Sequence, residues 1–195
     1  QDGVRAVVLV ERLEDDDLVA RLQEEILAVI RRHLDVDPDK VAAAVDTYGV
    51  QACAPDEIYD VDADIFAPYA LGAIINDGTI SRLRGKVVAG SANNILAEER
   101  HGDELQARSI TYAVDYVANS GGTIFDTDRF RKGGFQSERA WANVRRVYER
   151  TLEVFAIADR DGIPYYQAAD RMAEARIDAV NKVRLLDTNH ASVHR

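Results

Sequence analysis

Three short stretches of this chain set small residues beside groups that both donate and accept hydrogen bonds: Pro68-Tyr69-Ala70-Leu71-Gly72, Ser91-Ala92-Asn93-Asn94 and Asn119-Ser120-Gly121-Gly122. Small residues let a flat ring approach the backbone, and an asparagine amide both donates to and accepts from a carboxamide or carboxylate. Other reactive side chains read more plainly. His101, Asp103 and Glu104 resemble a ligand cluster, but no second histidine or cysteine stands at ligand spacing, so no metal site is expected. Cys53 has no histidine near it in sequence and reads as a small core or loop residue. The run Glu14, Asp15, Asp16 and Asp17 reads as a solvated helix start, where carboxylates complement the positive end of the helix dipole.

The elements that must position the three stretches follow from apolar spacing. Residues 4–10 (VRAVVLV) are nearly all apolar and β-branched, as in a strand buried on both faces of a parallel sheet. Leu18, Leu22, Ile26, Val29 and Ile30 recur at helical spacing with no glycine or proline between Asp15 and Val36, which predicts one continuous helix over 14–34. Asp37 and Pro38 open a second helix that stops at Gly49. Strands are expected at 50–52, 63–67 (ADIFA) and 86–90 (KVVAG), with a strand and loop at 110–119. Helices are expected at 76–83 and at 95–108, the latter broken near Gly102. A helix over 137–160 sets Trp141, Val144, Tyr148, Leu152 and Phe155 on one face, as core or subunit interface. Another starts near Pro164.

This βαβα alternation predicts an α/β fold, a doubly wound, mostly parallel sheet with closing C-terminal helices. Such sheets bind ligands at the carboxyl ends of their strands, where the three stretches fall. The expected organisation is a nucleotide-type domain over 1–136, helices over 137–186 that pack on it or on a preceding domain, and a disordered tail over 187–195.

With 195 residues, 47% of them apolar, the chain can bury one full core. Its net charge of -10 opposes long-range attraction to nucleic acid and to anionic membranes, so neither is an expected partner. A single cysteine excludes an internal disulfide, and no apolar run approaches the roughly 18 residues of a membrane span. A reducing, cytoplasmic setting is expected, and a first residue of Gln1 rather than Met suggests a trimmed chain.

Four segments, ADIFAPYALGAIIND (63–77), KVVAGSANN (86–94), EERHGDELQARSITYAVDYVANSGG (98–122) and DGIPYYQAADRMAEARI (161–177), together resemble the glutamate, leucine, phenylalanine and valine group of amino-acid dehydrogenases, most strongly its leucine and valine branch. The resemblance runs from about residue 42 to residue 177. It implies the Rossmann-like domain of an enzyme that oxidatively deaminates an L-amino acid to a 2-oxo acid with NAD, the cofactor supplying the chemistry and the protein the positioning. By that resemblance Ala70, Leu71 and Asn93 contact the cofactor, Asn93 and Asn119 line the substrate cleft, and Thr123 and Asp126 meet the substrate side chain, Asp126 alternatively turning to solvent. Tyr69, Val114 and Ser120 replace the family's usual cysteine, proline and alanine. The family's catalytic lysine and aspartate belong to a preceding domain, so no catalytic residue is expected in this chain. Homo-oligomers or a partner catalytic domain are the implied partners.

The glycine fingerprint of a dinucleotide site departs from the family. Aligned from Val10, its three glycines fall on Arg12, Glu14 and Asp17. Only glycine lets backbone approach a pyrophosphate closely, and like charges at ~4 Å repel by about 1 kcal/mol even in water. Asp35, about 25 residues after Val10, stands where an acid bonds the adenosine ribose, or equally caps the turn before Pro38. NAD binding by the isolated chain is therefore expected to be weak or lost. The alternative is a catalytically inactive Rossmann-like module serving as a subunit or binding partner.

Overall fold

The protein is described by a computed structural model over residues 6–8, 38–54, 56–70 and 72–191. The expectations for the 14–34 helix, the fingerprint positions, Asp35 and Leu71 fall outside these residues. The chain forms two compact units, Gln1–Asn119 and Ser120–Arg195. That division falls ahead of the 136/137 boundary expected from the sequence.

The first unit is built on three parallel strands, β3 (Ile65–Phe66), β4 (Val87–Val88) and β5 (Thr111–Tyr112), in the order β3-β4-β5. Ile65 and Phe66 pair with Val87 and Val88, which pair in turn with Thr111 and Tyr112. Val88 is fully buried and packs in a core with Ile75, Ile80, Ile95, Leu105 and Val114. Parallel neighbours need a crossover between them. Between β4 and β5 this is helix α2 (Arg100–Ala107), which turns Leu105 and His101 inward. Because α2 begins only at Arg100, Gly102 lies buried in its first turn and does not break it.

Between β3 and β4 the expected helix at 76–83 is reduced to a 3-10 turn, Ile80–Arg82. Local side chains capture the backbone there: Gly78 N–H donates to Asn76 Oδ1 at 3.0 Å, Asn76 N–H donates to Thr79 Oγ1 at 3.0 Å, and that hydroxyl donates to the Ile74 carbonyl at 2.5 Å. Such bonds compete with the helical ladder and win in a short segment.

Strand β1 (Ala6–Val8) does not join the parallel sheet. It runs antiparallel to β2 (Gln51–Cys53) in a separate two-stranded sheet, Ala6 opposite Cys53. The apolar run required burial without naming its partner. Helix α1 (Pro38–Tyr48), opened by proline and ended before Gly49, precedes β2.

The second unit is helical: α4 (Gly121–Thr127), a 3-10 turn (Asp128–Phe130), α5 (Ser137–Asp161) and α6 (Tyr165–Ala191), while the short α3 (Asp115–Ala118) belongs to the first unit. Gly162 ends α5 with φ of 66°, a left-handed turn that a side chain would strain. Helix α5 buries Ala140, Val154 and Ala158, and α6 buries Ala168 and Ala169, small residues that let helices approach closely. Phe155 and Tyr165 meet edge to face, ring centroids 5.3 Å apart. Of the rest of the anticipated α5 stripe, Val144 is half-buried, while Trp141 is 51% exposed, Tyr148 71% and Leu152 46%. Helix α6 runs to Ala191, past the point at 187 where a tail was expected. An ion pair between the buried Asp128 and the half-buried Arg139 anchors the start of α5. The Asp128 carboxylate accepts from Arg139 Nε at 2.7 Å, Arg139 Nη2 at 2.8 Å and the Gln136 N–H at 2.8 Å, and these donors hold its pKa down at about 2, Arg139 foremost.

Candidate functional site

At the carboxyl ends of β3 and β4 two loops run backbone against backbone. Ala89 N–H donates to the Phe66 carbonyl at 3.1 Å and Ala92 N–H to the Pro68 carbonyl at 3.0 Å, prolonging the ladder beyond the strands. The approach depends on Gly90. A Cβ there would stand 2.0 Å from the Pro68 oxygen and 2.6 Å from its nitrogen, where no side-chain atom fits. Further out, Ala73 N–H donates to the Asn94 carbonyl at 2.6 Å. Both residues hold left-handed backbone, with φ of 55° and 52°, a conformation non-glycine residues adopt at a cost and that concentrates at binding sites.

The third loop contributes Asn119, which follows α3. Its side-chain nitrogen lies 3.3 Å from the Ser91 carbonyl, 3.4 Å from the Ala92 carbonyl and 2.6 Å from Asn93 Oδ1. A nitrogen facing three oxygens acts as the donor, so the amide orientation of Asn119 is fixed, and the Asn93 atom it meets is the oxygen. Asn93 is exposed, and its NH2 has no hydrogen-bond partner among the described residues. The pair thus leaves one amide donor, on Asn93, and one carbonyl acceptor, on Asn119. That donor set fits a planar carboxamide, which needs one of each.

Of the residues anticipated from sequence, Asn93 and Asn119 are brought into direct contact. Ala70 is exposed in the loop whose base is joined to theirs through Pro68. Thr123 and Asp126 lie in the second unit on α4. The Thr123 carbonyl accepts from Thr127 Oγ1 at 2.7 Å, and the exposed Asp126 pairs with Arg129 beside an open hollow bordered by Phe125 and Phe135.

Two other features were missed in the sequence. One is Gly90. The other is Asp115, buried at the start of α3, whose carboxylate accepts from Ile95 N–H at 3.1 Å and from Tyr116 N–H at 2.9 Å. Burial, and next the negative charge of Asp115, push the Tyr112 phenol well above its ordinary pKa. A lone acid inside the apolar stretch ITYAVDYV was the available signal.

His101 serves the scaffold. Its Nδ1 accepts from Glu98 N–H at 3.0 Å, so Nε2 carries the proton and donates to Asp77 Oδ1 at 3.0 Å. Arg100 and then His101 hold Asp77 at a pKa of about 2. Among the described residues no group of three histidine, cysteine or acidic side chains is arranged to hold a metal ion, and no helix is long and apolar enough to cross a membrane.

No family model matches the chain. Individual proteins do. The chain is 55% identical over 150 residues to leucine dehydrogenase of Thermoactinomyces intermedius and 51% identical over 150 residues to leucine dehydrogenase of Geobacillus stearothermophilus, each match covering 77% of this chain and 40% of the relative. Among solved structures, L-tryptophan dehydrogenase from Nostoc punctiforme superimposes with a TM-score of 0.70 at 37% identity, over 76% of this chain and 44% of that one. The chain therefore spans about two fifths of the length of the curated relatives it matches. The parallel β3-β4-β5 sheet with its crossover, together with that superposition, is an α/β Rossmann-like fold, and the loops just described lie in the segments that resemble the family. Over the part it spans, the chain belongs to the glutamate, leucine, phenylalanine and valine family of amino-acid dehydrogenases, on its leucine branch.

Proposed function

We propose that this chain is the cofactor domain of an NAD-dependent amino-acid dehydrogenase, which converts an L-amino acid and water to a 2-oxo acid and ammonium. The observation that carries this reading is the Asn93–Asn119 amide pair, set at the carboxyl ends of parallel strands within segments that match the family. NAD, when bound, accepts the hydride from the substrate's α-carbon. The chain's own residues orient. Asn93 donates from its NH2, Asn119 accepts through its side-chain carbonyl oxygen, and the 68–72 loop bearing Ala70 and Leu71 borders the ring. Asp35 serves the adenosine ribose. Thr123 and Asp126 contact the substrate side chain, Asp126 with its charge already balanced by Arg129. The general base comes from a catalytic domain, either in the same polypeptide or in a partner, and the active form is an oligomer in the cytoplasm.

A second reading, an inactive module that keeps the fold, is favoured by one sequence observation: Arg12, Glu14 and Asp17 occupy the three fingerprint glycine positions. Calorimetric titration of the chain with NAD separates the two. A dissociation constant in the low micromolar range, within the general enzyme span of about 1 μM to 1 mM, supports a working cofactor site. No heat of binding at millimolar NAD supports the module. Turnover on leucine, valine, lysine and serine by the chain joined to a catalytic domain then reads the side-chain preference.

A further inference from the structure

The short helix α3 carries Asp115 at its first position, and Asn119 follows its last residue, donating its backbone N–H to the Asp115 carbonyl at 2.8 Å. Both residues reach the loop after β4, from opposite ends of α3. At one end the Asp115 carboxylate takes the N–H of Ile95. At the other the Asn119 amide takes the Asn93 side-chain oxygen and faces the Ser91 and Ala92 carbonyls. Ile95 is completely buried and Asp115 is 5% exposed, whereas Asn93 and Asn94 are exposed. The exposed pair is thus held between a buried clamp and a half-buried one, with Asn94 in the left-handed conformation between them.

Asp115 acts from inside the scaffold: it is buried, and its carboxylate oxygens accept from the Ile95 and Tyr116 N–H groups. A neutral side chain of the same shape cannot replace it. An asparagine offers one acceptor oxygen and one NH2, and that NH2 would face a backbone N–H, donor against donor. A buried N–H left without an acceptor is costly, so the segment must shift.

We propose that Asp115 is the positioning residue of this site: by anchoring Ile95 it sets the place of the Asn93 amide, so that Asn93 meets Asn119 oxygen-first and turns its NH2 outward. The proposal rests on the reading of Asn93 and Asn119 as the carboxamide-recognising pair for its meaning, but its geometry is read without any ligand.

The test uses the full chain, 15N-labelled, as wild type, Asp115→Asn, Asp115→Glu and Asn93→Ala. Side-chain NH2 resonances of Asn93 and Asn119, and hydrogen exchange of the Ile95 and Tyr116 amides, are followed together with circular dichroism. Asp115→Asn is expected to keep the fold, to speed exchange at Ile95 by at least tenfold, and to shift the NH2 signals of both asparagines, that of Asn119 toward its position in Asn93→Ala, where the pair is gone. If Asp115→Asn unfolds the chain, Asp115→Glu keeps the charge and is expected to move the same signals with the fold retained. Unchanged asparagine NH2 resonances in a folded Asp115 variant would overturn the proposal. Titration of the same samples with NADH is a separate arm. Failure of the wild type to bind sinks the cofactor reading and leaves the resonance result standing. Where the wild type binds, Asp115→Asn is expected to weaken NADH by tenfold or more.

Discussion

Asn119 donates to Asn93 Oδ1 at 2.6 Å from a nitrogen that two backbone carbonyls already orient. One residue therefore decides which face the other shows. Replacing Asn119 by aspartate sets a carboxylate against three oxygens, and replacing it by alanine frees the Asn93 amide to turn. In the assembled enzyme both changes are expected to lower kcat/KM by about 10²-fold, the scale of a ~1 Å misplacement, with circular dichroism unchanged for alanine. Steady-state kinetics on L-leucine measures it, and full activity of Asn119→Ala would show that the pair does not orient the reacting groups.

Gly90→Ala drives a methyl into the Pro68 backbone, which cannot swing aside as a side-chain tip would. Overpacking of this kind costs about 3 kcal/mol or more. Urea denaturation should show the midpoint falling with the slope preserved.

Removing the charge of the buried Asp128 leaves the half-buried Arg139 against a neutral partner. Asp128→Asn is expected to lower Tm by at least about 5 °C in a thermal scan, where an exposed pair would contribute almost nothing. Exchanging Glu138, exposed on the same turn of α5, serves as the surface control.

Acid stability follows from three carboxylates. Asp128 beside Arg139, Asp77 beside Arg100 and His101, and Asp161 beside Arg160 and Arg171 are each held at about 2, below the usual 3.8. Folding therefore binds fewer protons than the unfolded chain in this range. The stability these groups contribute is complete above about pH 4 and is lost as pH falls through about 2. Urea midpoints at pH 6, 4, 3 and 2 should decline mainly over the last two steps, and Asp128→Asn should flatten that decline.

Burial, and next the charge of Glu57, raise the Cys53 thiol above its ordinary pKa. Less thiolate is present at neutral pH, so iodoacetamide should label the folded chain several-fold more slowly than the urea-unfolded chain.

Much of the scaffold was legible because apolar spacing and punctuation state it directly. Ile65–Phe66, Val87–Val88 and Thr111–Tyr112 lie inside the runs read as strands, and Pro38 and Gly49 mark the two ends of α1. What was hidden depends on partners distant in sequence. The run at 4–10 says that it is to be buried, and nothing in it names β2 as its neighbour. The spacing of Trp141, Tyr148 and Leu152 reads equally as core or as subunit interface, and within this chain α5 buries Ala140, Val154 and Ala158 instead, since small residues admit the closer helix. Asn93 and Asn119 were singled out by type and place, and the fold brings them into contact. Asp115 was not, because residues 110–119 read as a strand and loop with no helix start at 115, and its bond to Ile95 spans 20 residues.

The bare backbone of Gly90 against Pro68 also decides how this cleft can be rebuilt. Loops 68–72 and 90–94 share a seam with no room for adjustment, so each is shaped to the other rather than to the sheet alone. Grafting one loop from a relative would import a contour with no counterpart across the seam. The unit of exchange is the pair, and a chimera that moves both together carries its own fit with it.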